Sequence, residues 1–219
     1  MQISYLLPLI LFVPFLSALL LGVAALVSHP KEEGLSESLI SFLAVGAPAI
    51  SAVLTLILFF QQLTQPELIW QFTLGTWIRI PAFELNMGLR MDHLSGLMTA
   101  MITFIGTLIH LFSVAYMRKD RGFARYFAYL NLFFAAMLLL ILSDNIVGLF
   151  MGWEGVGVCS YLLIGFWFKD LAKAQAGTKA FVVNRVGDFG FMLGILFLFL
   201  ETRAFSFDAI QSASSAISP

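Results

Sequence analysis

Cysteine is nearly missing from this sequence. Its 219 residues contain one, Cys159, so no disulfide closes within the chain and no cysteine set exists to hold zinc or an iron–sulfur cluster. His29, His93 and His110 stand too far apart in the sequence for a metal-site motif. No metal and no bound cofactor is therefore expected on this chain. Charge is scarce as well. Asp, Glu, Lys and Arg make up 11% of the residues, against about a quarter in soluble domains. A formal net charge of −1 supplies no basic patch, which removes nucleic acid from the partner classes.

Apolar residues fill the space: 60% of the chain is hydrophobic. Crossing a bilayer core takes about 20 predominantly apolar residues, and the segments 3–27, 39–63, 93–117, 123–142, 146–168 and 180–200 reach that length. Backbone groups at membrane depth have no water to bond, so each segment is expected to be a helix. The fold class is thus all-α and polytopic, with about six transmembrane helices in a lipid bilayer. The first run has no Lys or Arg before it and reads as a span rather than a cleaved signal.

Alternation of sides puts Lys31, Arg118, Lys119, Arg121, Arg125, Lys169, Lys173 and Lys179 on one face, against Arg79, Arg90 and Arg203 on the other. The excess of cations marks the cytoplasmic face, so the N-terminus is expected to point outward. Four stretches follow: two helices in 1–63, an outer connection in 64–92, four helices in 93–200 and an outer surface segment in 201–219. Within the connection, Phe83, Leu85, Met87 and Leu89 alternate with Glu84, Asn86, Gly88 and Arg90. Period two predicts a strand. With further strand segments at 68–74 and 77–80, parted at Gly75 and Thr76, the stretch is expected to form a small outer β-hairpin. Trp70 and Trp77 suit the headgroup belt. Residues 206–218 predict a short surface helix with Asp208 near its start. Pro219, after a serine-rich stretch, reads as a connection to further chain.

Ionisable residues within the spans are few enough to weigh singly. Glu154 lies about nine residues into the fifth span, near mid-depth at 1.5 Å per residue. A carboxylate in hydrocarbon costs at least about 2.5 kcal/mol, so it faces protein or water, or carries a proton. Gly152, Gly155 and Gly157 allow another backbone or a water file to come close, and Trp153 is expected to pack. Asp144, at the entry turn, suits an N-cap. On the sixth span Arg185 and Asp188 stand three residues apart, neighbours on one helix surface. Two readings stand for them: an internal ion pair that makes both tolerable, or part of a switchable charge array with Glu154. Gly187, Gly190 and Gly194 give that span a small-residue face. His110, on the third span, is either a proton relay or a satisfied polar contact.

Several strings carry a resemblance: Met91-Asp92-His93-Leu94-Ser95, Tyr116-Met117-Arg118, Arg125-Tyr126-Phe127-Ala128-Tyr129, Gly152-Trp153-Glu154-Gly155-Val156-Gly157 and Asn184-Arg185-Val186-Gly187-Asp188. Over nearly the whole length the sequence resembles the large antiporter-like subunits of respiratory complex I, the subunit L family of NADH–quinone oxidoreductases. The resemblance implies the N-terminal part of an antiporter-like bundle in a bacterial inner membrane. It further implies that Glu154 matches the family's membrane glutamate and that Arg185 and Asp188 match polar residues near its proton path. NADH, flavin, iron–sulfur clusters and quinone are then expected in partner subunits, both membrane and peripheral. The family's broken seventh helix with its lysine, and its second half-channel, have no counterpart in these residues, so this stretch alone is not expected to pump. Two other readings remain: the large subunit of a multisubunit sodium/proton antiporter, and a membrane anchor fragment that pumps nothing.

Overall fold

The computed structural model describes residues 3–27, 35–65, 67–80 and 83–217. His29 and Lys31 lie outside them. The element order is α1 (Leu6–Val27), α2 (Glu37–Thr64), β1 (Trp70–Ile80), β2 (Phe83–Met91), α3 (His93–Tyr116), α4 (Phe123–Leu142), α5 (Ile146–Ile164), α6 (Leu171–Thr202) and α7 (Phe207–Ile217). Helices α1 to α6 are each long and apolar enough to cross a membrane.

The bundle is organised around α4. Half of its apolar window is buried, against 11% for α6 at the edge. Near the hairpin end Phe134, Leu138 and Leu142 of α4 pack with Leu7 and Ile10 of α1, Leu58 of α2 and Met91 of β2. At the opposite, cation-rich end Phe123 and Phe127 pack with Leu21, Ile40, Met117 and Phe166. In lipid there is little hydrophobic gain from joining helices, so small residues and side chains bonded across helices carry the association. Ser17 donates to Leu43 O at 3.0 Å, Ser51 to Ile10 O at 2.8 Å, and Asn131 Nδ2 to Ala44 O at 3.3 Å. These tie α1 to α2 and α2 to α4.

The connection after α2 is an antiparallel hairpin. The break expected at Gly75 and Thr76 is instead a pair of register irregularities, between Thr73 and Gly75 and between Thr76 and Ile78, inside one continuous strand. Bulges absorb an extra residue without ending a strand. Trp77 is exposed but Trp70 is buried in the core cluster, where its Nε1 donates to Leu58 O at 3.3 Å. Trp70 therefore closes the hairpin onto α2 and does not join a headgroup belt.

Two turns fix the hairpin to the bundle. Asp92 opens α3 with a capping box: its carboxylate accepts from Ser95 N at 2.9 Å, and Ser95 Oγ accepts from Asp92 N at 2.8 Å. The N-cap of α5 is Asn145, whose Oδ1 accepts from Gly148 N at 2.8 Å. Asp144 is not the cap expected of it. Its Oδ1 accepts from Gly88 N at 3.1 Å and from Asn145 Nδ2 at 2.7 Å, so it links β2 to the start of α5. Asn145 Nδ2 also reaches Asn86 O at 3.1 Å, and Arg90 of β2 pairs with Asp208 of α7. The surface helix begins where the polar composition indicates, with Asp208 in its first turn.

Helix α6 starts at Leu171, nine residues before the predicted apolar run. Lys173 and Lys179 interrupt hydropathy there without interrupting the helix, and Asp170 caps it by accepting from Ala172 N at 3.1 Å. Asp170 lies outside the spans. Its hydrogen bond from Lys173 holds the carboxyl below its ordinary range.

Candidate functional site

Helices α4, α5 and α6 pack in sequence order, and α5 owes its position to glycine. A Cβ on Gly152 would stand 2.6 Å from Leu140 Cα, and one on Gly155 would stand 3.0 Å from Ala136 Cβ. Residues three apart share a helix face, so this glycine face lies directly on α4. Gly157 and three of the α6 glycines, Gly187, Gly190 and Gly194, meet nothing within 4 Å, whereas a Cβ on Gly177 would stand 3.2 Å from Tyr161 O. The close approach predicted for Gly152, Gly155 and Gly157 is present at the first two and not at Gly157; the α6 face of Gly187, Gly190 and Gly194 is open among the described residues.

With the glycines turned to α4, Glu154 projects toward α6. There Arg185 pairs through Nη1 with Glu154 Oε2. The same Nη1 lies 3.7 Å from Asp188 Oδ2, one turn along α6. Arg185 therefore stands between two carboxylates, one on its own helix and one across the interface. The internal pair expected of Arg185 and Asp188 is present, and Glu154 is the closer partner. Asp188 is nearly closed off, with its side chain 9% exposed, whereas Glu154 is 24% and Arg185 42% exposed. The guanidinium also lies 4.7 Å over the Phe181 ring, a cation–π contact.

Trp153 does more than pack. Its Nε1 donates to Asp188 Oδ1 at 2.7 Å, and its ring meets Phe191 edge-on at 5.6 Å. Sequence reasoning missed this bond. The available signal was the paired occurrence of an indole N–H and a carboxylate on consecutive spans, since an N–H at membrane depth has no water to bond. The charge count of the group follows: one guanidinium and two carboxylates leave one negative charge in excess, so one added proton neutralises it. Among the described residues Glu154 Oε1 has no hydrogen-bond partner, whereas Asp188 accepts from Trp153 and faces Arg185.

His110 is elsewhere. It is buried on α3, its ring 5.7 Å from Phe134 and 6.4 Å from Phe127 of α4. Helix α4 therefore stands between it and the Glu154 group. Cys159 is buried on α5 and free. Among the described residues no group of three or more His, Cys, Asp or Glu side chains is arranged to hold a metal ion.

Two family models match the chain, together over more than half of it. Residues 77–127 match "NADH-Ubiquinone oxidoreductase (complex I), chain 5 N-terminus", and residues 143–218 match "NADH:quinone oxidoreductase/Mrp antiporter, TM". The chain is 39% identical over 215 residues to NAD(P)H-quinone oxidoreductase subunit 5 of the Paulinella chromatophora chromatophore, covering 98% of this chain and 31% of that protein. It is 44% identical over 176 residues to NADH-quinone oxidoreductase subunit L of Rhodobacter capsulatus, covering 77% and 24%. The chain spans about a third or less of the length of these relatives. Its fold matches a chain of the membrane-bound sulfane sulfur reductase, an archaeal respiratory membrane complex, with a TM-score of 0.78 at 19% identity, over 100% of this chain and 41% of that one.

Proposed function

Because the chain belongs to the antiporter-like membrane subunits of NADH–quinone oxidoreductases, we propose that it forms the N-terminal part of a proton-translocating subunit in which Glu154 carries the proton. The observation that supports this best is Arg185 between the Glu154 and Asp188 carboxylates. A cation shared by two acids has two arrangements. With Arg185 at Glu154, the glutamate is held as an anion; when Arg185 shifts to Asp188, Glu154 loses its counter-charge and takes up a proton. Trp153 keeps Asp188 in place as the alternative acceptor. Movement of a charge elsewhere in the assembly biases the choice, which couples electron transfer in other subunits to the proton. NADH oxidation, flavin, iron–sulfur and quinone chemistry belong to those partners. The setting is a bacterial inner membrane, and the distribution of loop cations supports an outward N-terminus.

The test is Glu154→Gln in the full-length subunit of the assembled complex. NADH-driven proton uptake by inverted vesicles is expected to fall at least about tenfold, the cost of about 1.4 kcal/mol or more in the transfer step, with assembly preserved. A membrane-anchor role predicts lost assembly instead. Full proton uptake in Glu154→Gln overturns the proposal.

A further inference from the structure

On the far side of α4 from Glu154, the chain buries another polar group that the proposed charge switch does not use. Helix α3 turns Thr99, Thr103, His110 and Ser113 inward, all buried, and their spacings of four, seven and three residues keep them on one face. Thr99 and Thr103 return their hydroxyl protons to the carbonyls four residues back. His110 does the same with its ring: Nδ1 lies 2.7 Å from Gly106 O. A carbonyl only accepts, so Nδ1 carries the proton and Nε2 of the neutral ring is an acceptor. Nε2 is fully buried and has no partner.

Asn131 of α4 presents the same chemistry. Its Nδ2 donates to Ala44 O at 3.3 Å and Phe127 O at 3.1 Å, which fixes the amide orientation and leaves Oδ1 as a buried acceptor without a partner. The two residues are at one level of the bundle. His110 lies against both Phe127 and Phe134, and Asn131 sits between those phenylalanines on the same face of α4. Two acceptors cannot satisfy one another; a small molecule with two O–H groups satisfies both. Buried unpaired polar atoms cost free energy that an ordered water recovers.

We propose that His110 and Asn131 hold a buried water between α3 and α4, which donates to His110 Nε2 and Asn131 Oδ1. This gives His110 its relay partner locally rather than through Glu154. The site stands whether or not Glu154 carries protons.

A cryo-electron microscopy map of the assembled complex containing the full-length subunit, at a resolution that shows other buried waters, is expected to show a water within hydrogen-bonding distance of both atoms. A map without it overturns the site. The second measurement is a thermal-stability cycle of the purified complex with His110→Phe, Asn131→Leu and the pair. Each single change strands one acceptor or its water, so the double variant is expected to melt no lower than the less stable single variant. Strictly additive shifts overturn the shared water, even if all three variants assemble poorly, because the cycle compares them with one another.

Discussion

Gly152→Ala tests the packing that sets the whole site. The added Cβ would lie 2.6 Å from Leu140 Cα and 2.8 Å from Leu140 Cβ, about 0.8 Å inside ordinary contact. The obstacle is helix backbone at the centre of the bundle, so it cannot swing away, and α5 must retreat from α4. Overpacking of this kind costs about 1–3 kcal/mol. Alanine also gains about 1 kcal/mol of helix propensity over glycine, which hides part of the loss. Gly157→Ala removes that ambiguity: it lies on the same helix, gains the same propensity, and its Cβ meets nothing within 4 Å. The difference between the two variants is therefore the packing cost alone, about 1–3 kcal/mol. The assay is the thermal midpoint of the purified complex carrying each variant in the full-length subunit, with NADH-driven proton uptake alongside. Displacement of α5 also disturbs the Trp153–Asp188 bond across the α5–α6 interface, so uptake is expected to fall with stability in Gly152→Ala and to stay unchanged in Gly157→Ala. Equal stability of the two variants would refute the close α4–α5 contact.

Removing Arg185 with Leu leaves Glu154 unpaired at membrane depth, at a cost of about 2.5–3.5 kcal/mol if it stays charged. Adding Glu154→Gln is expected to restore most of the lost assembly, measured as subunit abundance in membranes. Trp153→Phe deletes the donor to Asp188 and is expected to cost about 1.5–3 kcal/mol in thermal stability, with proton uptake reduced; an unchanged melting point contradicts the bond's importance. For Asp92, partial burial pushes its carboxyl up, but the Ser95 amide and hydroxyl and the nearby Arg90 outweigh this, so the group sits below its ordinary 3.8. Its stabilisation of the α3 start is complete above that value and is lost as pH falls below it through the folded-state value. The melting point is thus expected to drop on acidification below about pH 4, less so in Asp92→Asn, and an equal drop in both contradicts the assignment.

The six spans were legible because hydrocarbon thickness imposes a length that composition alone displays. Ends were less so. Helix α6 extends to Leu171 because Lys173 and Lys179 can lie along a helix with their charges at its cation-rich end, and hydropathy registers only the charges. At the α5 entry, Asp144 and Asn145 are both good caps by residue type. The hairpin decided between them by offering Gly88 N to Asp144. Trp70 followed the same rule: its burial depends on packing against Leu58 of α2, which no local pattern encodes. Glu154, Arg185 and Asp188 stood out as charges in apolar runs, and the structure brings these three together. Trp153 did not stand out, since an aromatic in a span is ordinary until its partner is known. His110 shared the rarity of the others but not their location, because rarity marks a residue and only packing says which neighbours it meets.

The central claim is that Glu154 changes protonation as Arg185 moves between carboxylates. Infrared difference spectroscopy of the assembled complex, with and without NADH, reads the carbonyl stretch of a protonated carboxyl directly. A band that appears on reduction in the wild type and is absent in Glu154→Gln is the predicted result. A band that persists unchanged in Glu154→Gln, or no carboxyl band in a wild-type complex that pumps, would contradict it.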